Sequence, residues 1–175
     1  SQQNTFVGAN AGNFTTTGSY NFASGYQALY SNTEGWLNTA SGTVALYSNT
    51  TGGVNTASGC AALYYNTTAS SNTAMGVGAL FFNCYNVPTG CTAHNNTASG
   101  YEALHNNTTG QNNTALGRSS GYYNSTGSNN TFIGFSAGPD GGPVDLTNAT
   151  AIGAYAVLSQ SNTLILGVTG DNAIN

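Results

Sequence analysis

The sequence predicts an all-β fold, a parallel β-solenoid (β-roll) of about nine to ten coils with a 17-residue repeat, from three observations. A motif Asn-Thr-x-x-Gly recurs with a period of 17 residues, broken once by a step of 24. Helix is disfavoured, because the unit is rich in Asn, Thr, Ser and Gly and is only half as long as helical repeats of about 33 residues. Only 3% of the 175 residues are charged. The motif glycines are Gly8, Gly25, Gly42, Gly59, Gly76, Gly100, Gly117 and Gly134.

Each repeat unit is predicted to form one coil. The unit reads N-T-A-S-G-x-x-A-L-Y-x-N-T-T-G-x-x, most clearly in residues 38–54, and its positions are numbered one to seventeen. Positions two to four and six to ten are predicted to be extended, and positions twelve to fifteen to form an exposed turn, since Asn and Gly favour turns. Equal positions in successive coils then lie about 4.8 Å apart, the spacing of paired strands.

The scarcity of charge excludes several functional classes. Stacked like charges repel, whereas stacked Asn and Thr can hydrogen-bond to their copies. A single Arg and no Lys exclude a basic surface for nucleic acid. An enzyme is the least favoured class, because Glu34, Glu102 and Asp140 fall in different units at different positions. His94 and His105 lack ligand partners at metal spacing, so neither a metal site nor a cofactor is predicted.

The chain divides into a regular and a degenerate part. Residues 1–138 are predicted to form the regular solenoid, and residues 139–175 degenerate C-terminal coils or an end piece. The one long step places an insertion at 84–91, bracketed by Cys84 and Cys91. Two cysteines this close can pair, so the sequence predicts a disulfide and therefore an extracellular or cell-surface setting. No apolar run approaches the roughly 20 residues that span a bilayer, so no transmembrane segment is predicted.

Position ten is predicted to form an aromatic column along the solenoid. Such a column could stack sugar rings or a partner surface, or it could pack laterally against another copy or another side of the roll. Packing is favoured, because a row of rings on a thin solenoid needs cover from water. The column comprises Tyr30, Tyr47, Tyr64, Phe81 and Tyr122, with His105 in the same register.

Position two is predicted to form a ladder of Thr side chains. Ice binding would need two parallel Thr rows on one flat face, and the second Thr row, at positions thirteen and fourteen, is predicted to lie in turns. A structural role is therefore favoured over ice binding. The ladder comprises Thr39, Thr56, Thr73, Thr97, Thr114 and Thr131.

Two sequons of the form Asn-x-Ser/Thr fall at position twelve, in the predicted exposed turn. Asn49 and Asn66 are therefore candidate glycosylation sites, where a glycan would project without a clash. The alternative is that an Asn- and Thr-rich chain produces sequons by accident.

Three runs carry a resemblance to a known family. They are Asn72-Thr-Ala-Met-Gly-Val-Gly-Ala79, Asn130-Thr-Phe-Ile-Gly-Phe-Ser-Ala137 and Ala149-Thr-Ala-Ile-Gly-Ala-Tyr-Ala156. They resemble the head repeats of bacterial trimeric autotransporter adhesins and related repeats in phage tail fibres. The resemblance implies a parallel β-roll that associates three-fold, projects from a surface and binds matrix or host components.

The functional expectation is a non-enzymatic extracellular structural or adhesive repeat protein, part of a surface fibre or filament. No capping element is recognisable at either end of the repeats, so homo-oligomers are expected, either a filament by end-to-end stacking or a trimer. Possible further partners are glycans or a host surface. The alternatives are a trimeric adhesin head that binds host or matrix ligands, and a carbohydrate- or ice-binding solenoid.

Overall fold

A computed structural model describes residues 3–12, 16–87, 90–142 and 145–167. The described residues contain twelve short strands and no helix, so none of them could cross a membrane as a helical span. The strands are β1 (Thr5–Val7), β2 (Phe22–Ser24), β3 (Thr39–Ser41), β4 (Thr56–Ser58), β5 (Thr73–Met75), β6 (Thr97–Ser99), β7 (Thr114–Leu116), β8 (Thr131–Ile133), β9 (Gly138–Pro139), β10 (Thr150–Ile152), β11 (Val157–Leu158) and β12 (Leu164–Leu166).

Ten of the strands form one parallel sheet in the order β1-β2-β3-β4-β5-β6-β7-β8-β10-β12, and β9 pairs with β11 in a small second sheet. Residues 17 apart are direct partners, as in the series Thr39, Thr56 and Thr73. The predicted parallel β-solenoid with a 17-residue repeat is therefore confirmed. At the usual strand spacing, the nine steps of the sheet give a rod of roughly 43 Å.

The prediction of a second extended segment at positions six to ten is wrong. In the unit of residues 38–54, Val44 at position seven and Leu46 at position nine both have a φ of 51°, and Val54 at position seventeen has a φ of 59°. These left-handed residues bend the backbone sharply, so a coil of 17 residues returns to the next strand without a second long strand. The only long strand ladder of the coil is the one at positions two to four.

The glycine at position five is required by space as well as by conformation. Gly59 has a φ of +137°, and a Cβ there would lie 2.5 Å from the carbonyl oxygen of Gly76 in the next coil. A side chain at this position would therefore separate the coils. The sequence analysis predicted a turn glycine at position fifteen, but the strained backbone lies at positions five, seven, nine and seventeen.

A thin apolar core runs along the solenoid axis. Its typical members are Ala40, Ala45 and Leu46, at positions three, eight and nine, and all three are fully buried. Near both ends of the regular part, glycine replaces the Leu of position nine. There a Phe at position three fills the space, since a Cβ on Gly12 would meet the Phe6 ring and one on Gly121 the Phe132 ring.

Buried asparagines at position twelve form a continuous amide ladder. Asn66 Nδ2 donates to Asn49 Oδ1 at 2.9 Å and to the carbonyl oxygen of Ala69 at 3.0 Å. Asn66 Oδ1 in turn accepts from Asn83 Nδ2 at 2.8 Å. Every polar atom of the side chain is thus used, and two of its partners lie in neighbouring coils. The ladder comprises Asn32, Asn49, Asn66, Asn83, Asn107 and Asn124.

A second amide ladder runs through position one. Asn38 Oδ1 accepts from the backbone N–H of Asn55 at 2.9 Å, and Asn38 Nδ2 donates to the carbonyl oxygen of Gly52 at 2.8 Å. That same carbonyl also accepts from Asn49 Nδ2, so the position-fifteen oxygen joins the two ladders within one coil. This ladder comprises Asn4, Asn21, Asn38, Asn55, Asn72, Asn96, Asn113 and Asn130.

The predicted disulfide between Cys84 and Cys91 is confirmed. It closes the insertion, which interrupts the turn of one coil. In that coil Ala93 supplies the position-fifteen carbonyl, and it accepts from Asn83 but not from Asn72. Asn72 Nδ2 is consequently a buried donor without a partner in the described part of the chain. The insertion therefore removes one hydrogen bond, while the disulfide constrains the loop that caused the loss.

The C-terminal coils depart from the period. The step from Thr131 to its partner Thr150 is 19 residues, and the step from Thr150 to Leu164 is 14. Both strands still join the main sheet in register, so the solenoid continues to β12 while its turns change in length. Residues 168–175 of the predicted end piece lie outside the described residues.

Replacing one ladder amide by a carboxylate tests the dependence on buried hydrogen bonds. Asn66→Asp places a carboxylate opposite two acceptors, Asn49 Oδ1 and the Ala69 carbonyl, so we expect a loss of about 4 kcal/mol in unfolding free energy at pH 7. Burial raises the pKa of the new carboxyl, so the folded state binds the proton more tightly and stability recovers as the pH falls. Urea unfolding at pH 7 and pH 4 measures both effects. The exposed control Asn10→Asp should show neither, and an unchanged Asn66→Asp would contradict the ladder model.

The close approach at position five predicts a large effect of a single methyl group. Gly59→Ala combines backbone strain with a clash against the next coil, so we expect a loss of about 4 kcal/mol in unfolding free energy. Gly141→Ala is the matched control: its φ is +83° but no atom lies within 4 Å of the new Cβ. That variant should lose only about 1 kcal/mol. Equal losses in urea unfolding would show that strain alone matters and that the coils are not in tight contact.

Removal of the disulfide should destabilise the chain modestly. The double variant Cys84→Ala/Cys91→Ala releases a short loop, and chain-entropy arguments give a loss of about 2.5 kcal/mol. The exposed free thiol offers a control, since Cys60→Ala removes a cysteine without opening a loop. Urea unfolding under oxidising conditions compares the three proteins. A double variant as stable as the parent would mean that the loop is held by other contacts.

Candidate functional site

The aromatic column is a continuous stack of rings on the outer surface of the solenoid. Successive ring centroids are 5.1 to 5.3 Å apart, and the interplanar angles range from 4° to 19°. The left-handed residue at position nine turns the chain so that the next side chain projects outward. The stack runs through Tyr30, Tyr47, Tyr64, Phe81, His105 and Tyr122.

A second aromatic row at position eleven covers the middle of the column. Tyr65 stacks on Phe82 at 5.6 Å and meets Tyr64 edge-on at 4.7 Å, while Tyr85 of the insertion packs edge-on against Tyr65. Tyr64 is therefore half-buried, and desolvation raises the pKa of its phenol, with further contributions from Tyr47 and Tyr65. Ring faces inside the column are covered by the rings above and below. A sugar ring has a place to stack only at the ends of the column.

The Thr ladder lies in register on the outward side of the main sheet. Here the outward residues at positions two and four are called the sheet face. The Thr residues of β3 to β8 are exposed or half-buried, and no hydrogen bond joins their hydroxyls within the described residues, so the expected bonding between stacked Thr is wrong. The ladder comprises Thr39, Thr56, Thr73, Thr97, Thr114 and Thr131.

Position four supplies a second outward row on the sheet face, which the sequence analysis missed. It begins with Ser24, Ser41 and Ser58 and becomes apolar toward the C-terminus. In β7, β8, β10 and β12 the direct partners in this row are apolar, and Leu164 at position two of β12 adjoins them. The available signal was the alternation of each strand around its buried central residue. The group defined as the apolar face is Leu116, Ile133, Ile152, Leu164 and Leu166.

The expectation that Asn49 and Asn66 are exposed is wrong. Both side chains are 0% exposed, and both amide nitrogens donate two hydrogen bonds inside the roll. A glycan has no room on either amide in the folded protein. Sequons with exposed amides occur instead at position seventeen, in Asn95, Asn112, Asn129 and Asn148.

Two carboxylates that are distant in the sequence line one cavity. Glu102 and Asp140 belong to different units at different positions, yet both face a half-open cavity of about 510 Å³ at the C-terminal end of the aromatic column. Tyr122 and Tyr123 line the same cavity. Stacking of coils brings these residues together, and the irregular turn after Pro139 supplies the second carboxylate. This cavity is called the end cavity.

The single side-chain cation outside the histidines lies beside the end cavity without lining it. The guanidinium of Arg118 is 5.6 Å from the centroid of the Tyr101 ring and 5.5 Å from that of Phe135. Tyr101, Arg118 and Phe135 occupy position six of successive coils, so the cation sits between two rings. Among the described residues no three His, Cys, Asp or Glu side chains are grouped to hold a metal ion.

The aromatic column, the sheet face and the end cavity are therefore the three surface features with a possible role in binding. Their geometry alone carries the functional argument. No family model, curated protein or solved structure matches the chain.

Proposed function

We propose that the chain is a non-enzymatic structural and adhesive repeat of an extracellular fibre, and that copies of it associate through the apolar face. The observation that carries this proposal is the row of exposed apolar side chains in register on four adjacent strands. Leu116 is 52% exposed, Ile152 39% and Leu166 45%. Single exposed apolar residues are ordinary, but a contiguous patch marks an interaction surface.

The shape of the apolar face favours a second copy of the same chain as its partner. It spans β7 to β12, about 14 Å across the strands, and it is as flat as the parallel sheet that carries it. Two such faces can pack as two sheets do in a β-sandwich. With side chains about half exposed before association, each of the five residues would contribute about 1 kcal/mol on burial. The few charges of the chain leave little repulsion between copies.

The amide ladders support a mechanical role. Each coil is joined to its neighbours by backbone hydrogen bonds of the sheet and by two rows of Asn amides. Bending the rod would open buried hydrogen bonds, which cost about 1 to 3 kcal/mol for each group left unsatisfied. Such a rod transmits force along its axis and presents its outer columns at a fixed spacing.

An extracellular setting is supported by the disulfide between Cys84 and Cys91. Disulfides persist in oxidising compartments and at cell surfaces and are rare in the cytosol. A trimer and an end-to-end filament both fit a fibre, and the apolar face favours lateral association. Adhesion to host or matrix components is the added role that the resemblance to adhesin heads implies.

Polar substitution of the apolar face should dissociate the assembly. Leu116→Thr/Ile152→Thr extends the Thr and Ser character of the N-terminal half of the sheet face and keeps strand-favouring residues. Sedimentation velocity should give an oligomer for the parent chain and a monomer of 17.7 kDa for the double variant.

The matched control is Ser58→Thr, a change at position four outside the apolar face, which should leave the oligomer intact. Electron microscopy of the parent chain then separates a trimer from a filament. A parent chain that stays monomeric at high micromolar concentration would contradict the proposal.

A further inference from the structure

We infer that the end cavity binds a neutral saccharide. This inference is independent of the fibre proposal, because it rests on different residues. The cavity volume of about 510 Å³ falls in the range of sites for small molecules. The residues that carry the argument are Glu102, Ser136, Tyr122, Tyr123, Asp140 and Tyr155.

The aromatic column provides rings at the one place where they can meet a ligand. Tyr122 stacks on His105 at 5.1 Å, and no further aromatic ring of the described chain continues the stack beyond it. Tyr123 stands nearly perpendicular to Tyr122, with centroids 5.0 Å apart and an interplanar angle of 80°. The two rings thus form an aromatic corner at the cavity. A pyranose has an apolar C–H face that packs against such rings while its hydroxyls point elsewhere.

The remaining lining is suited to hydroxyl groups. The carboxylates of Glu102 and Asp140 accept hydrogen bonds, and charge-assisted bonds are about twice as strong as neutral ones. Ser136 adds a hydroxyl that both donates and accepts. Glu102 is held by a hydrogen bond from the Tyr101 phenol, and this bond and the carboxylate charge raise the pKa of Tyr101. The first carboxylate is therefore positioned before a ligand arrives.

The charges select against an acidic sugar. The cavity lining contains two carboxylates and no cation, and Arg118 is engaged between the rings of Tyr101 and Phe135. A uronic or sialic acid would therefore meet like charge in a partly enclosed space. An organic ammonium ion would be attracted by the same rings and carboxylates. The volume and the additional hydroxyls of the lining favour a polyhydroxylated ligand over a compact ammonium.

Saturation-transfer NMR on the full chain tests the inference with defined probes. The neutral probes are cellobiose, lactose and N,N′-diacetylchitobiose, and the charged probes are glucuronic acid and tetramethylammonium. We expect signal transfer to at least one neutral disaccharide and none to glucuronic acid. Tyr123→Ala should abolish the transfer, and Asp140→Asn should weaken affinity at least tenfold in a calorimetric titration. Both side chains are exposed, so both variants should fold, which circular dichroism checks.

Two controls make the result specific to the end cavity. Tyr26→Ala removes an equally exposed tyrosine outside the cavity and should leave binding unchanged. Leu116→Thr/Ile152→Thr changes the apolar face and should also retain binding, which separates this inference from the fibre proposal. The inference is overturned if no neutral disaccharide binds, if binding survives Tyr123→Ala, or if tetramethylammonium binds and displaces the sugar.

Discussion

Hydrogen bonding along the axis through buried Asn amides is the interaction on which the rest of this molecule depends. An amide such as that of Asn66 has its donors and acceptor satisfied only when the coils on both sides are in register. Because a buried amide without partners costs more than a formed bond gains, a one-residue slip would penalise every coil at once. The strict period of 17 is the sequence record of this constraint. The scarcity of charge follows from the same constraint, since a carboxylate in a ladder could not donate.

The narrow coil sets the remaining rules of the sequence. A core built from Ala and one Leu per coil buries little apolar area, so stability comes mainly from contacts between neighbouring coils. Those contacts require the glycine of position five and left-handed residues at three further positions. Where the period breaks, the chain compensates locally. The unpaired amide of Asn72 costs about 1 to 3 kcal/mol, a loss similar in size to the gain from closing the Cys84–Cys91 loop.

Periodicity made the fold predictable, but it left the orientation of side chains undetermined. The spacing of the motif glycines predicts parallel strands in register, and the cysteines around the insertion predict their own pairing. Asn66 was misplaced because Asn is common both in exposed turns and in buried ladders, and the sequence pattern is the same in both cases. The row at position four was missed because its residues change from Ser58 to Leu116 along the chain and therefore do not resemble a repeat. The end cavity depends on an irregular turn, which no period describes.

The two proposed binding features use different sides of the coil. The apolar face comprises residues at positions two and four of the main sheet, whereas Glu102, Tyr122 and Tyr123 belong to positions seven, ten and eleven. Burial of the apolar face in an assembly would therefore leave the end cavity open to solvent. Each copy in a fibre would then present one cavity in a fixed orientation, so that weak binding of single sugars adds up over many copies. A stiff ladder fold suits this arrangement, because avidity is lost when the sites cannot be engaged simultaneously.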